Sequence, residues 1–310
     1  MATKLKTGIG NLELNTPLLP ASGTYGNGRE YSELVDLKNW GAMVTKGITL
    51  EPRSGNSGIR IIETPAGILN SIGLQNPGVE FFLKEEMPFL VNLGLPVIAN
   101  IAGRRLRDYE ELARRLSTHP GISGLEVNVS CPNVREGGLA FGTNPDLVFE
   151  ITSRLRKITD LPLIIKLTPN VADVTAIASS AEAGGADAVS LINTVMGMEI
   201  DVEEQKPLLG NVVGGLSGPC VKPVALRMVY QVYRKVNIPV IGMGGITHGE
   251  DAIAFFLAGA SAISLGTVNF VNPRAPKEIN EYIEGYMRRK GIKEIKDLVG
   301  LAHREGGKNG

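Results

Sequence analysis

Short apolar runs rich in β-branched residues recur along the chain, separated by longer stretches in which apolar positions return every three or four residues. The runs are Pro17 to Ala21, Ala42 to Gly47, Pro96 to Ile101, Gly124 to Val129, Pro162 to Leu167, Ala188 to Ile192, Ile238 to Gly242 and Ala262 to Leu265, which makes eight candidate strands. The helical windows are Arg29 to Lys38, Val79 to Asn92, Arg107 to Ser117, Pro145 to Thr159, Val171 to Ala183, Pro219 to Val236 and His248 to Ala258. A strand that reads as an unbroken apolar run, rather than alternating with polar residues, is covered on both faces, as parallel strands between helices are. Eight such strands predict an α/β fold, a closed (β/α)8 TIM barrel spanning residues 1–310 as one domain; a doubly wound open sheet is the other architecture that fits.

Glycines at Gly41, Gly94, Gly184 and Gly259 follow helical windows and are expected to close them in the left-handed conformation. Thr247 with Glu250 reads as a capping box, and Asn144 before Pro145 as an N-cap. Lys4 to Lys6 and Leu12 to Leu14 flank Gly8 and Gly10, an N-terminal hairpin suited to plugging the barrel bottom. The stretches from Thr49 to Leu95 and from Thr194 to Asn237 exceed simple turns and read as insertions over the C-terminal mouth. Gly306 to Gly310 is expected to fray.

Composition narrows the function classes. A chain of 310 residues that is 43% hydrophobic can bury a sizeable core, and 32 basic residues balance 32 acidic ones, which leaves no charge bias toward nucleic acid. The opening MATKLKTGIG lacks an apolar secretory segment, and the stretch from Leu90 to Ala102 is broken by Asn92, Gly94, Pro96 and Asn100, so neither export nor membrane insertion is expected. Two cysteines, Cys131 and Cys220, are too few for a disulfide framework or an iron–sulfur cluster and fit free thiols in the cytoplasm.

Reacting groups of a barrel sit at the C-terminal ends of its strands. Here those ends carry Ser22, Lys46, Asn100, Asn128 with Cys131, Lys166, Asn193 with Thr194, Gly244 with Gly245, and Gly266 with Thr267. An ammonium closing an apolar run is costly unless it meets an anion, so Lys46 and Lys166 are candidate ligand contacts, against the alternative of snorkelling to solvent. Gly242 to Ile246 and Leu265 to Thr267 end the last two strands with glycines, whose missing side chains suit backbone binding of a phosphate. His119, His248 and His303 fall in helices or caps and read as surface residues, and no histidine or carboxylate cluster has metal spacing. Cys131, in Asn-Val-Ser-Cys-Pro-Asn ahead of a glycine-bearing stretch from Gly137 to Gly142 that reads as a lid, is either a general base or an inert thiol. Cys220 reads as helix packing. Asn70, Asn128 and Asn193 supply amides that match a planar imide ring.

Asn-Ser-Ile-Gly-Leu-Gln-Asn-Pro-Gly (Asn70 to Gly78), Asn-Val-Ser-Cys-Pro-Asn-Val from Asn128, Leu-Ser-Gly-Pro (Leu216 to Pro219) and Gly-Met-Gly-Gly-Ile, in this order, resemble dihydroorotate dehydrogenases over nearly the whole chain. Cysteine at position 131 resembles the soluble class of that family, and Cys131 to Thr143 is similar to NAD-linked type B catalytic subunits rather than fumarate-using type A homodimers. The resemblance implies an oxidoreductase of pyrimidine biosynthesis that binds FMN. The flavin contacts it implies are Ser22, Lys46, Gly47, Asn100, Asn128, Lys166, Ile192, Gly218, Gly244, Gly245, Gly266 and Thr267. Dihydroorotate would contact Lys46, Asn70, Ser71, Ile72, Gly73, Leu74, Asn128, Asn193 and Thr194, with Cys131 removing the C5 proton while C6 gives hydride to FMN. It also implies a homodimer core within a heterotetramer, whose electron-transfer subunit carries FAD and a [2Fe–2S] cluster and passes electrons to NAD. The chain has neither a GxGxxG after a strand nor the cysteines for a cluster, in keeping with that division. Other readings are a type A enzyme, a tRNA-dihydrouridine synthase, a barrel aldolase or isomerase with a Schiff base on Lys46 or Lys166, and a non-catalytic ligand-binding barrel.

Overall fold

In the computed structural model, which describes residues 4–130 and 141–304, each apolar run contains a strand of one parallel sheet. These barrel strands are β1 (Leu18–Pro20), β2 (Met43–Val44), β3 (Val97–Ile101), β4 (Gly124–Asn128), β5 (Leu163–Lys166), β6 (Ala188–Leu191), β7 (Val240–Met243) and β8 (Ala262–Leu265). They lie side by side in chain order from β2 to β8, and β8 pairs with β1. The remaining seam closes where Gly41, just ahead of β2, donates its N–H to the Leu18 carbonyl of β1 at 2.8 Å. That closure selects the barrel over the open sheet.

Alternation along each strand splits the core in two. Leu18, Met43, Val97, Leu125, Leu163, Val189, Val240 and Ile263 face outward and pack with helix residues such as Leu112, Leu116, Ile151, Leu155, Val229 and Phe255. Leu19, Val44, Ile98, Ile164, Ala188, Ile241 and Ala262 face inward and form a second cluster with Ile9 and Leu14. Those two belong to the N-terminal hairpin, whose strands are Thr7–Ile9 and Leu12–Leu14, so the hairpin plugs the barrel as expected, with its first strand three residues later in the chain. Each fully buried side chain of this kind contributes about 1.5–3 kcal/mol.

The outer helices follow their apolar spacing. Leu106–Ser117 buries Tyr109, Leu112, Ala113 and Leu116 on one face, and Asn144 caps Pro145–Arg156 by accepting from the N–H groups of Asp146 and Leu147. The window over residues 79–92 is helical but contains a π turn, Phe82–Glu86, just ahead of Pro88, which has no N–H for the carbonyl four residues back. A helix outside the expected set, Ala275–Lys290, follows the last strand and buries Ala275, Pro276, Ile279, Ile283 and Met287. Among the described residues, no helix is long and apolar enough to cross a membrane.

Local details differ from expectation in four places. The window from Arg29 to Lys38 is helical only over Arg29–Ser32, and a 3-10 turn follows at Leu37–Asn39. Gly94 and Gly259 adopt positive φ, but Gly184 does not, its neighbour Gly185 doing so instead, and Gly41 serves the seam rather than a helix end. The helix Gly249–Leu257 is capped through Asp251, not Glu250: the Asp251 carboxylate accepts from Thr247 N and Oγ1, both at 2.8 Å, and from His248 N at 3.0 Å, and it pairs with Lys222. Cys220 lies in a 3-10 turn, Pro219–Val221, with its thiol exposed rather than packed.

The two insertions combine. Ile61–Thr64 and Gly67–Asn70 from the first, with Gly214–Ser217 and Val195–Gly197 from the second, form one antiparallel four-stranded sheet. A smaller hairpin joins Ile200–Asp201 to Lys206–Pro207.

The seam predicts one sensitive glycine. A Cβ on Gly41 would overlap the Thr16 carbonyl and press on Leu14, so Gly41→Ala is expected to cost about 2–3 kcal/mol in urea unfolding. Gly8→Ala, exposed and clear of its neighbours, is expected to change stability by under about 0.5 kcal/mol. The cap predicts a pH dependence. Burial pushes the Asp251 carboxyl up, but hydrogen bonds from Lys222, Thr247 and His248 together hold it below the usual carboxylate range. A depressed carboxyl stabilises the fold above its unfolded value and loses that contribution as pH falls through the folded one. The difference between the wild type and Asp251→Asn, about 1–2 kcal/mol at neutral pH, is therefore expected to persist to about pH 5 and to shrink below about pH 4 in urea unfolding.

Candidate active site

One step above the inward apolar layer, five of the strands turn polar. Asn100 follows Ile98, Glu126 follows Gly124, Lys166 follows Ile164, Ser190 follows Ala188 and Ser264 follows Ala262, each two residues on and each buried. Register places Asn100 beside Glu126, and Lys166 beside both Asn128 and Ser190. Glu126 is the hub: Asn100 Nδ2 donates to its Oε1 at 2.6 Å, Ser190 Oγ donates to its Oε2 at 3.0 Å, and Lys166 Nζ lies 3.6 Å from Oε1. Lys166 Nζ also donates to Ser22 Oγ at 2.7 Å, tying β5 to the loop after β1 across the barrel. Glu126 and Lys166 are 3% and 4% exposed, so the pair is withdrawn from water. Lys166 therefore does not snorkel to the surface.

Above this layer lie the other strand-end residues. Lys46 is half-buried, and its ammonium is held below the ordinary lysine value by burial and by the Arg60 guanidinium, with Glu30 partly opposing both. Next to it, Gly47 approaches Asn100: a Cβ there would stand 3.2 Å from Asn100 Oδ1. That amide oxygen is buried and has no hydrogen-bond partner among the described residues. Asn193 Nδ2 lies 3.5 Å from Asn128 Oδ1, which also accepts from Ser130 N at 3.1 Å.

The insertion sheet brings the remaining substrate candidates to the same mouth. Asn70 Nδ2 donates to the Gly215 carbonyl at 3.2 Å, and Gly215 leaves no room for a Cβ against Thr194. The loop Ser71 to Leu74 is braced by two side chains to which the sequence reading gave no role. Asn56 Nδ2 donates to Ser71 Oγ and Asn56 N to the Ile72 carbonyl, both at 3.0 Å, and Gly73 sits against the same asparagine. Asn76 donates to the Leu74 carbonyl at 2.8 Å while its Oδ1 accepts from Thr49 N and Gly78 N.

A bare-backbone cradle forms where the last two barrel loops meet the second insertion. Gly244 and Gly245 leave β7 with φ of 124° and 72°, and a Cβ on Gly245 would stand 2.9 Å from the Gly218 carbonyl. Thr267, after Gly266 at the end of β8, donates from Oγ1 to Ser217 Oγ at 2.9 Å, and buried Ile192 packs on Gly244. Exposed backbone with little side-chain cover is what an anionic phosphate needs for close approach. An orphaned buried acceptor, two lysines and this cradle fit a phosphorylated, ring-shaped cofactor such as FMN.

The structure thus brings together Ser22, Lys46, Gly47, Asn100, Asn128, Lys166, Asn193 and Thr194 at one end of the barrel, with Asn70 to Leu74 and the glycine cradle around them. Cys131 and most of the Gly137 to Gly142 stretch lie outside the described residues, as does Gly306 to Gly310. Among the described residues no group of histidine, cysteine or carboxylate side chains could hold a metal. Glu126 and Ser190 lie within their strands rather than at the ends, and the sequence signal for Glu126 is its place two positions before Asn128, on the same inward face.

Comparison with known proteins agrees with this geometry. A family profile described as dihydroorotate dehydrogenase matches residues 4–287. The chain is 53% identical over 296 residues to a protein of Alkaliphilus metalliredigens, covering 96% of this chain and 98% of that one. It is 56% identical over 292 residues to one of Alkaliphilus oremlandii, covering 94% and 96%, and 54% identical over 303 residues to one of Desulforamulus reducens, covering 98% and 100%. All three are named dihydroorotate dehydrogenase B (NAD(+)), catalytic subunit. With a closed barrel, a flavin-compatible mouth and a match from residue 4 to residue 287, this chain belongs to the dihydroorotate dehydrogenase family.

Proposed function

We propose that this chain oxidises (S)-dihydroorotate to orotate in de novo pyrimidine (UMP) biosynthesis. FMN is its bound cofactor, and NAD+ is the final acceptor, reached through a separate subunit carrying FAD and a [2Fe–2S] cluster. The observation that supports it most is the convergence, in one mouth, of the unpartnered Asn100 oxygen, two lysines and a glycine cradle. The relatives' naming as catalytic subunits supports the division of labour. In this reading the protein is cytoplasmic, forms a homodimer core within a heterotetramer, and residues 1–310 act as one domain.

Gly244, Gly245, Gly266 and Thr267 would hold the phosphate of FMN, and Ser22, Lys46, Gly47, Asn100, Asn128, Lys166, Ile192 and Gly218 would hold the rest of it. When bound, FMN supplies the acceptor for the hydride leaving C6 of dihydroorotate. Lys46 pairs with the substrate carboxylate, and Asn70, Asn128, Asn193 and Thr194, with the braced loop Ser71 to Leu74, fix the ring amides so that C5 and C6 are held in register. Cys131 takes the C5 proton as its thiolate. The Ser71 to Leu74 loop also covers the ring and excludes water.

The first test is the visible spectrum of the purified, FMN-loaded chain before and after anaerobic dihydroorotate. Flavin absorbance that bleaches and is restored by the partner subunit with NAD+, but not by fumarate, is the expected result; restoration by fumarate alone would sink the NAD-linked reading. Cys131→Ala is expected to keep its flavin and slow the bleaching by about 10²- to 10⁴-fold, measured by stopped-flow absorbance. A thiol base ionises near about pH 8.5, so the bleaching rate at saturating substrate should climb toward that pH in the wild type.

Lys46 adds an opposing dependence on pH. A carboxylate ligand needs the ammonium, whose loss comes at lower pH than for an ordinary lysine, so orotate affinity should fall as pH rises through that depressed value. Absorbance titrations between about pH 7 and about pH 10 are expected to show the fall in the wild type and a weak, flat affinity in Lys46→Met.

A further inference from the structure

Glu126 is buried, yet Asn100, Ser190 and Lys166 of the inner layer all stand against it. A carboxylate only accepts hydrogen bonds, so it draws Asn100 Nδ2 to Oε1 at 2.6 Å and turns Asn100 Oδ1 the other way. That oxygen is the buried one without a partner, and it faces Gly47 on the mouth side. The carboxylate therefore decides that Asn100 offers the mouth an acceptor rather than a donor. Its Oε2 is occupied by the Ser190 hydroxyl at 3.0 Å. Lys166 stands at 3.6 Å from Oε1, close enough for charge to offset charge but beyond a good hydrogen bond, and gives one N–H to Ser22. The ammonium keeps donors for the mouth while its field there is reduced by a fixed anion in a dry interior, where such fields are weakly screened.

We propose that Glu126 is a positioning residue for the flavin. It fixes Asn100 as an acceptor, holds Lys166 in place, and offsets the lysine's charge so as to lower the reduction potential of the bound cofactor. The inference rests on the flavin reading of this mouth. Removing the anion while keeping the shape leaves Lys166 uncompensated, which favours the more negative, reduced flavin.

The test is the two-electron flavin couple of the FMN-loaded chain, equilibrated anaerobically with a reference dye. Glu126→Gln is expected to raise the reduced-to-oxidised ratio about tenfold at fixed dye poise, equivalent to about 30 mV. A ratio within about twofold of the wild type overturns the proposal, and so does a variant whose only change is a lower unfolding midpoint, since a purely structural role leaves the couple of the retained flavin unmoved. Where the Gln variant yields no folded, flavin-bearing chain, Glu126→Asp is measured instead. Its shorter arm retreats from Asn100 and Lys166 and is expected to shift the ratio about threefold in the same direction, an unchanged ratio again overturning the proposal. A wild-type chain that takes up no FMN defeats the flavin reading together with this inference, whereas a flavin-bearing wild type with an unmoved couple in the variants defeats this inference alone.

Discussion

An ammonium and a carboxylate stand 3.6 Å apart inside the barrel, and much of the surrounding structure serves to keep both satisfied without water. Desolvating two such charges costs several kcal/mol each, and their attraction repays this only when the remaining hydrogen-bonding capacity is filled. Two barrel strands and one loop do that filling: Asn100 from β3, Ser190 from β6 and Ser22 after β1 converge on a pair held by β4 and β5. The groups therefore have to arrive together, which requires the registers between neighbouring strands to be right by one residue. A slip of one would send Lys166 or Glu126 outward among the helices and leave the other buried alone, a loss of about 3–5 kcal/mol. Apolar residues of similar volume would hold the barrel at least as well, so the pair is poorly explained by stability. The flavin proposed to sit above it explains it better.

The mouth depends on a second constraint, the pairing of two insertions far apart in the chain. Asn70 reaches Gly215 because their strands are neighbours, and Thr194 lies against the same glycine because Val195–Gly197 pairs on its other side. A loop built this way is held by backbone hydrogen bonds along its length, with Asn56 and Asn76 filling the gaps where the chain turns away from the sheet. The side chains proposed to meet the substrate ring are thus carried on a braced platform rather than on free loops.

What could be read from the sequence follows from which signals are local. Parallel strands buried on both faces stand out as apolar runs, and the eight ends point to Ser22, Lys46, Asn100, Lys166 and the glycine pairs because a barrel gives every strand end the same address. The insertion sheet was not legible. Its strands are short and half-exposed, as in Ile61–Thr64, and their pairing joins residues about 145 positions apart, which no window of local periodicity reaches. Asp251 rather than Glu250 caps its helix because the chain enters that helix at His248 rather than Thr247, a register of one residue that spacing alone does not resolve. The helix Ala275–Lys290 carries a readable apolar spacing, Ile279, Ile283 and Met287, but follows the eighth strand, where the alternation that located the others had ended. Cys131 is a different case: residue chemistry left a base and an inert thiol both open, and only family resemblance chose between them.

Stability and chemistry are separated along the barrel axis. At the lower end, Ile9, Leu14, Leu19, Ile98, Ile164 and Ile241 seal the interior with apolar contact alone, and the outer helices add a larger cluster of the same kind. Two residues further up, the inward positions of five strands carry Asn100, Glu126, Lys166, Ser190 and Ser264, an amide, two charges and two hydroxyls. The polar layer is affordable because the hairpin below it excludes water from one side and the insertions cover the other. Substitutions that conserve volume are therefore best tolerated in the lower layer, where shape is all that matters. Equally conservative changes in the polar layer reverse a donor or strand a charge, and the groups disturbed are those proposed to face the flavin.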